Sequence, residues 1–313
     1  MTGVPSRPLL APWYRLVVVD DRMLLEHGQT VVVLEGGAVR TLLPALLPLL
    51  DGTRTIDELV MRLGVVARPA IEGALDVLAE HGLLVEGPPL TPELRAAAHA
   101  VAAAYGIAPG VAARRLQGAV VGVVGSAPAA LEIARLLRLA GIGGVRRSRW
   151  HGREPVDVAV VVPAGDELER LGSWNRTALT NERVWLPVVP YDGRFAAVGP
   201  LVIPGESCCY ECVRRRRASN IEYGEHLDEL EALPTAAVAD AALATIVAGV
   251  AAHLVLRFVG GCDTSLPGVL FAVEARPALS VGEHPVLRHP RCPACSPAER
   301  LAARLPWHQA AAA

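Results

Sequence analysis

Two pairs of cysteines have the spacing of metal ligands. They lie in the segments Cys209-Tyr-Glu-Cys212 and Cys292-Pro-Ala-Cys295, separated by residues 213–291. A CxxC segment lets the chain double back, so that both sulfurs can reach one tetrahedral ion at about 2.3 Å. Two such segments make a closed Cys₄ site, in which four thiolates leave no position for water or substrate. The spacing therefore predicts a structural Zn²⁺ ion held by Cys209, Cys212, Cys292 and Cys295.

Three further cysteine and histidine residues, and the redox chemistry of a single CxxC pair, are alternatives to this zinc site. Either CxxC pair taken alone could be redox-active. Cys208 forms a CxxxC segment with Cys212 and is the weaker candidate ligand, whereas Cys262 stands apart and is predicted to be a core or surface thiol. His289 lies close to the second pair, but four cysteines already satisfy zinc.

A predicted strand–turn–helix unit lies where a dinucleotide-type GxGxxG turn would be expected. Only Gly125 of that motif is present; Ala127 and Ala130 occupy the other two glycine positions, and Pro128 intrudes. The second glycine permits close approach of a phosphate and the third permits close helix packing. Arg146-Arg-Ser-Arg149 stands where a ribose-binding acid is expected. The sequence therefore predicts no cofactor-binding residues here.

The composition excludes several kinds of chemistry. All 30 basic residues are arginines, so no mechanism that needs a lysine is available. The net charge of −2 argues against a nucleic-acid-binding surface, because such surfaces carry a basic excess. A length of 313 residues with 52% hydrophobic residues is typical of two globular domains.

The first part of the chain has the pattern of a winged-helix (α+β) domain, predicted at residues 1–88. Three β-rich runs and three helical patterns follow one another, at residues 14–19, 22–26 and 30–35 and at residues 38–50, 55–63 and 68–81. Thr55 and Glu58 have the spacing of a capping box at the start of the second helix. The boundary is marked by Gly87-Pro88-Pro89.

The remainder is predicted to be a linker helix at residues 89–117 and a Rossmann-type α/β domain at residues 118–313. Strands alternating with helices imply a parallel sheet. The predicted elements are strands at 118–125, 144–149, 157–162, 184–190 and 268–273, helices at 129–140 and 235–259, an antiparallel excursion at 195–203, and an irregular proline-rich tail.

The sequence predicts a cytoplasmic protein without membrane contact. Its start lacks the charged-then-apolar layout of a secretory signal. The most apolar long stretch, Thr235–Val259, approaches spanning length but contains Asp240, His253 and Arg257, so it is predicted to be a buried core helix.

The C-terminal part resembles the ThiF-like, ubiquitin-activating-enzyme-like family. The resemblance covers residues 118–313 and rests on the sheet pattern, on Gly199-Pro-Leu-Val-Ile-Pro-Gly-Glu-Ser-Cys-Cys-Tyr-Glu-Cys212 and on His289-Pro-Arg-Cys-Pro-Ala-Cys295. More narrowly, it is similar to degenerate members that are partners of YcaO cyclodehydratases in azole- and azoline-forming peptide biosynthesis. Residues 13–87 resemble the PqqD-like peptide-recognition element of such systems.

The resemblance implies a non-catalytic subunit with a structural zinc ion. The zinc ligands carry over onto the four cysteines, whereas the glycines, acid and lysine of adenylating members are missing, so no catalytic residue is expected. The implied partners are the leader region of a ribosomal precursor peptide and a YcaO-type cyclodehydratase. A homodimer stays open, and neither nucleic acid nor membrane is expected.

The resemblance also implies how the peptide is held. An extended leader would add as a strand to the third β-run and lay apolar side chains against the third helix. The implied peptide-binding residues are Thr30, Val31, Val32, Val33, Leu34 and Glu35 of the β-run, and Arg68, Ile71, Leu75 and Leu78 of the helix. The apolar helix positions could equally belong to the domain core.

Two other functions compete with this interpretation. A carboxylate-adenylating enzyme would need the missing glycines and lysine. A DNA-binding regulator would need a basic third helix, but Arg68 is offset there by Glu72, Asp76 and Glu80. The run Arg214–Arg217 is predicted to be a basic turn, either solvated or in contact with an acidic partner, and the acidic run Glu225–Glu231 could balance it.

Overall fold

The computed structural model of the chain describes residues 3–87, 90–148, 150, 155–232, 237, 239–275 and 277–296. The chain divides into two compact units, Met1–Gln117 and Gly118–Ala313. Pro88 and Pro89 of the predicted boundary, and Thr235 at the predicted start of the long helix, lie outside the described residues.

The N-terminal unit is built from short strands and helices. In chain order they are β1 (Pro8–Leu10), β2 (Arg15–Val19), β3 (Arg22–His27), β4 (Thr30–Leu34), α1 (Gly37–Thr41), α2 (Leu43–Leu46), α3 (Ile56–Leu63), α4 (Arg68–Glu80), β5 (Leu84–Glu86), α5 (Pro92–Tyr105) and α6 (Pro109–Gly118). β1 pairs with β5, and its formation was not predicted. The winged-helix assignment of this unit stays a prediction.

The strands β2, β3 and β4 form one antiparallel sheet in that order. Two-residue turns connect them, since Val19 pairs with Arg22 and His27 pairs with Thr30. Met23, Leu25 and Leu34 turn towards the core of the unit, because alternate residues of a strand face opposite sides. β2 and β4 are therefore the two edges of this sheet.

Two predicted helices are divided into shorter ones. The linker helix predicted at residues 89–117 forms α5 and α6, because Gly106 ends α5 in a left-handed conformation. The pattern at residues 38–50 forms α1, α2 and a 3₁₀ turn at Leu47–Leu49 instead of one helix. Pro44 and Pro48 lie in the first turns of the last two segments, where a missing N–H costs nothing. By contrast, the capping box of α3 is confirmed, because Thr55 and Glu58 each bond the other's backbone N–H.

The C-terminal unit alternates strands and helices before a more irregular end. Its elements are β6 (Val120–Val124), α7 (Pro128–Leu139), β7 (Gly144–Ser148), β8 (Val158–Val161), α8 (Arg170–Thr180), β9 (Trp185–Val189), β10 (Phe195–Val198), α9 (Tyr210–Asn220), α10 (Leu227–Ala232), α11 (Ala241–Gly261), β11 (Val269–Glu274) and β12 (Ser280–Pro285).

One mixed sheet of seven strands organises this unit, in the order β12-β11-β10-β9-β8-β6-β7. β7, β6, β8 and β9 are parallel, and β10, β11 and β12 continue the sheet antiparallel. After β6 the chain adds β7 on one side of it and then crosses to add β8 on the other side. Open α/β sheets place their ligand crevice at such a change in strand order, here between β6 and β8. The prediction of an irregular tail is wrong for Ser280–Pro285, which forms β12.

The long apolar helix α11 packs against the sheet of the C-terminal unit. By length and mean hydropathy (2.0) it could cross a membrane, with 39% of that stretch buried in the protein. It packs against α7 and against β9 and β10 of the sheet. Asp240 caps its start by accepting a hydrogen bond from the Leu243 N–H at 2.8 Å. α11 therefore packs on the sheet with part of its surface and leaves the rest partly exposed.

Candidate functional site

The four predicted cysteines come together in the C-terminal unit. Their sulfurs all lie within 4.8 Å of one another. Individual Sγ–Sγ distances are 3.9 Å from Cys209 to Cys212, 3.7 Å from Cys209 to Cys292 and 3.5 Å from Cys212 to Cys295. A tetrahedron with Zn–S bonds of about 2.3 Å has sulfur–sulfur edges of about 3.8 Å. A disulfide would need about 2.05 Å. The cluster could therefore hold a metal ion, and its dimensions are compatible with zinc.

Helix α9 and the segment after β12 position the sulfurs. Cys209 precedes the first residue of α9 and Cys212 lies in its first turn, so the two side chains point to one side. The His289 N–H donates to the Cys212 sulfur at 3.3 Å, and the Cys292 N–H donates to the His289 carbonyl at 3.1 Å. His289 thus supports the cluster through its backbone. Cys208 is buried but does not belong to the group of four.

Three of the four sulfurs are buried, which affects their charge. Cys209, Cys212 and Cys292 are fully buried beside Trp185 and Tyr210. A hydrogen bond from the Cys209 thiol lowers the pKa of Cys212 to about 4, whereas burial raises the pKa of Cys292 to about 11. Four thiolates so close together, three of them buried and Cys295 half-buried, would repel one another without a positive charge. A bound divalent cation would supply that charge.

The arginine run after the first CxxC pair is helical, which corrects the prediction of a basic turn. Arg214 lies in α9 and contacts Glu231 at 2.6 Å, Glu211 at 3.0 Å and also Asp228. Arg217 contacts Asp192 at 3.1 Å. The expected balance between the arginines and the acidic run is therefore confirmed within the chain.

Gly125 is required by packing at the turn between β6 and α7. Its φ is +123°, and a Cβ there would lie 2.0 Å from the carbonyl oxygen of Val162. Ala130, at a glycine position of the nucleotide motif, is completely buried. The one remaining glycine of the motif thus serves the contact between β6 and the end of β8.

The Gly125→Ala substitution should destabilise the C-terminal unit by about 3 kcal/mol or more, because it combines a backbone clash with a left-handed φ. Guanidinium unfolding followed by tryptophan fluorescence measures the effect. Gly122→Ala is the matched control within β6, since its Cβ would meet only Val156 side-chain atoms at 3.4 Å. Equal midpoints for the two variants would contradict this explanation of Gly125.

The side chain of Glu167 contacts the turn between β6 and α7. Glu167 accepts hydrogen bonds from the Ser126 hydroxyl and from the Trp150 indole N–H, the latter at 2.9 Å, and pairs with Arg170 at 3.2 Å. Partial burial raises its pKa, but these hydrogen bonds hold the pKa of Glu167 below its usual value, so it is ionised at neutral pH. Sequence reasoning missed Glu167, because nothing in its local pattern connects it with Ser126.

The crevice at the carboxyl ends of β6, β8 and β9 is apolar. A cavity of about 260 Å³ lies there, lined by Ala127, Val162, Val188, Leu243 and their neighbours. None of the described lining residues carries a charge. The one lining tyrosine, Tyr191, donates its hydroxyl to the Gly193 carbonyl at 2.6 Å. This lining offers no side chain that would neutralise a phosphate.

The strand predicted to hold a peptide is an edge strand. β4 pairs with β3, and no other described strand pairs with it. Val31 and Val33 are 53% and 50% exposed, whereas Val32 packs against the core and Leu34 is buried. Thr30 and Glu35, at the two ends, are exposed. β4 therefore offers a free backbone edge flanked by two exposed valines.

Three of the helix residues implied to bind the peptide lie in the core of the N-terminal unit. Ile71, Leu75 and Leu78 of α4 are at most 1% exposed and belong to the same core cluster as Leu25. Their side chains have no solvent-exposed surface that a peptide could contact, so they are core residues. Arg68 is partly exposed and is paired with Asp57 at 2.6 Å and with Glu72 at 2.9 Å. The large apolar residue of α4 that is exposed is Val77, at 44%.

The protein has a ThiF-like fold of the kind associated with heterocyclases. A heterocyclase solved in complex with substrate and cofactor has a TM-score of 0.73 and 25% identity over 95% of this chain and 40% of its own. The heterocyclase TruD has a TM-score of 0.73 and 26% identity over 96% of this chain and 44% of its own. This chain thus spans less than half of either heterocyclase.

A third similar structure shares the fold along nearly its whole length. Escherichia coli MccB, solved with AMPCPP and MccA, has a TM-score of 0.63 and 15% identity over 92% of this chain and 99% of its own. At that identity the likeness concerns the fold alone. No protein-family model and no curated protein sequence matches the chain.

Proposed function

We propose that the protein binds the leader region of a ribosomal precursor peptide and presents it to a YcaO-type cyclodehydratase, which it also activates. The rings formed by that partner would be thiazolines or oxazolines, made from Cys, Ser or Thr side chains. The observation that carries the proposal is the free edge of β4, in a chain that matches heterocyclases over 95% and 96% of its length.

Strand addition at β4 explains how one surface could bind an unstructured leader. Residues of an antiparallel pair alternate between hydrogen-bonded and non-hydrogen-bonded positions. The two-residue turn makes His27–Thr30 a hydrogen-bonded pair, so the N–H groups of Val31 and Val33 point away from β3. A leader strand would bond these groups and place alternate side chains beside the two exposed valines.

The other parts of the proposal concern the C-terminal unit. We infer that the four cysteines bind one structural Zn²⁺ and that this chain is not itself an enzyme. Two observations support the second inference: the ionised Glu167 at the β6–α7 turn would repel a phosphate, and the crevice beside it is apolar. ATP chemistry would then belong to the YcaO partner, and both proteins would work in the cytoplasm.

Titration of a labelled leader tests the proposal directly. The probe is the leader segment of a precursor peptide encoded beside this gene, added to the full chain and followed by fluorescence anisotropy. We expect a Kd of about 10 µM or tighter, as for a short strand added to an exposed edge. The proposal fails if the folded, zinc-loaded chain shows no binding at about 100 µM, far above that Kd.

The competing adenylating function predicts a different result. An adenylating enzyme would exchange pyrophosphate into ATP when given a carboxylate substrate. We expect the purified chain to show no exchange above background, with or without leader peptide, because the described lining of the crevice carries no cation and the chain has no lysine. Exchange that depends on the chain and disappears in a Ser126→Trp variant would favour the enzyme.

A further inference from the structure

The second edge of the N-terminal sheet is unusually apolar. All five residues of β2 are exposed, and four of them are Leu16, Val17, Val18 and Val19. Val18 is 58% exposed and the others between 36% and 40%. β2 pairs with β3, and no other described strand pairs with it.

Such an edge lacks the usual protection against association. Edge strands are normally blunted by charges, prolines or bulges. β2 contains no proline and one charge, Arg15, and its register with β3 runs without interruption from Arg15–Glu26 to Val19–Arg22. An apolar, regular strand with one free edge is suited to pair with another strand.

The charges at the ends of β2 make it complementary to itself. Arg15 lies at one end and the Asp20–Asp21 turn at the other. An antiparallel two-fold arrangement centred on Val17 brings Arg15 of each copy beside the acidic turn of the other. The present ion pairs of these residues, Arg15–Glu26 at 3.6 Å and Arg40–Asp21 at 3.7 Å, are long and exposed, so they cost little to exchange.

The backbone geometry agrees with the same two-fold axis. Since Val19–Arg22 closes a two-residue turn, the hydrogen-bonded positions fall at Val19, Val17 and Arg15. The N–H groups of Leu16 and Val18 then point outwards. Centring on Val17 places Leu16 of one copy opposite Val18 of the other, which makes these the hydrogen-bonded pairs of the new interface.

We propose that two copies of this chain associate through β2, antiparallel and centred on Val17, into one continuous six-stranded sheet. β4 becomes the outer edge at both ends, so the dimer leaves both proposed leader-binding edges free. Pairing of five residues buries less than a standard interface of about 1,600 Å², so we expect a dissociation constant in the micromolar range.

Sedimentation equilibrium of the full chain tests the pairing. We expect a monomer–dimer equilibrium for the natural sequence between about 1 and 100 µM. Val18→Pro removes an outward N–H without touching the β3 ladder, and it should raise the dissociation constant at least about 30-fold. Val33→Pro, the matched change on β4, should dimerise like the natural protein.

Charge exchange supplies a second test that does not depend on proline. Arg15→Asp should weaken self-association, and so should the double change Asp20→Arg with Asp21→Arg. An equimolar mixture of the two variants should associate again, because each charge then meets its opposite. A monomer at about 100 µM for the natural chain, or an undiminished dimer for Val18→Pro, would overturn the proposal. Leader titration of Val18→Pro reports on the proposed function separately, since β4 is unchanged.

Discussion

Replacing Cys292 with serine is expected to abolish metal binding and to lower the melting temperature by at least about 10 °C. Cys292 is completely buried and lies 3.7 Å from the Cys209 sulfur. A serine hydroxyl is not a thiolate, so the ion would lose a ligand, and the three remaining sulfurs, two of them buried, would lack enough positive charge. The two ligand segments, far apart in sequence, would also lose their common anchor.

Metal content and thermal unfolding should change together. The natural protein should contain about one zinc ion per chain by mass spectrometry of the metal, and Cys292→Ser close to none. Cys262→Ser is the matched control, because Cys262 is exposed at the end of α11 and lies outside the cluster. A folded Cys292→Ser variant with full zinc, or a natural protein without zinc, would show that the cluster is not a Cys₄ site.

The metal ligands could be predicted because sulfur chemistry restricts the alternatives. Two CxxC pairs identify four residues without any knowledge of the fold, and the structure brings the same four together. The buried strands of the C-terminal sheet could be predicted from the sequence equally well, since runs such as Val158–Val161 are apolar at every position. In both cases the signal lies within a short segment.

Other features depend on contacts between distant segments and leave no local signal. Glu167 meets Ser126 and Trp150 only because the chain folds. β12 was missed because Val281 is its one β-branched residue and the segment contains Gly282 and ends at Pro285. Its strand form comes from pairing with β11. Periodicity in α4 marks an apolar stripe but does not say what covers it. The sequence therefore left open whether Ile71, Leu75 and Leu78 face a groove or the core, where the structure buries them.

Because Ile71, Leu75 and Leu78 of α4 are buried, the proposed leader site depends mainly on backbone hydrogen bonds to β4. If affinity comes mainly from strand addition, then one proline on that edge should weaken leader binding more than any single side-chain truncation. Val33→Pro removes an N–H that points away from β3 and puts a ring in the path of the incoming strand. We expect the Kd for leader to rise about 30-fold or more, which corresponds to about 2 kcal/mol.

The control for this variant is the same substitution on the opposite edge of the same sheet. Val18→Pro should bind leader with unchanged affinity, because β2 and β4 are separated by β3. Circular dichroism should show both variants folded, since each proline takes a position whose N–H does not serve the ladder to β3. If Val18→Pro loses leader binding and Val33→Pro keeps it, the peptide adds to β2 instead, and the two edges exchange the roles proposed for them. If neither proline changes the Kd, the leader does not bind by strand addition, because that mode depends on an outward N–H and an unobstructed edge.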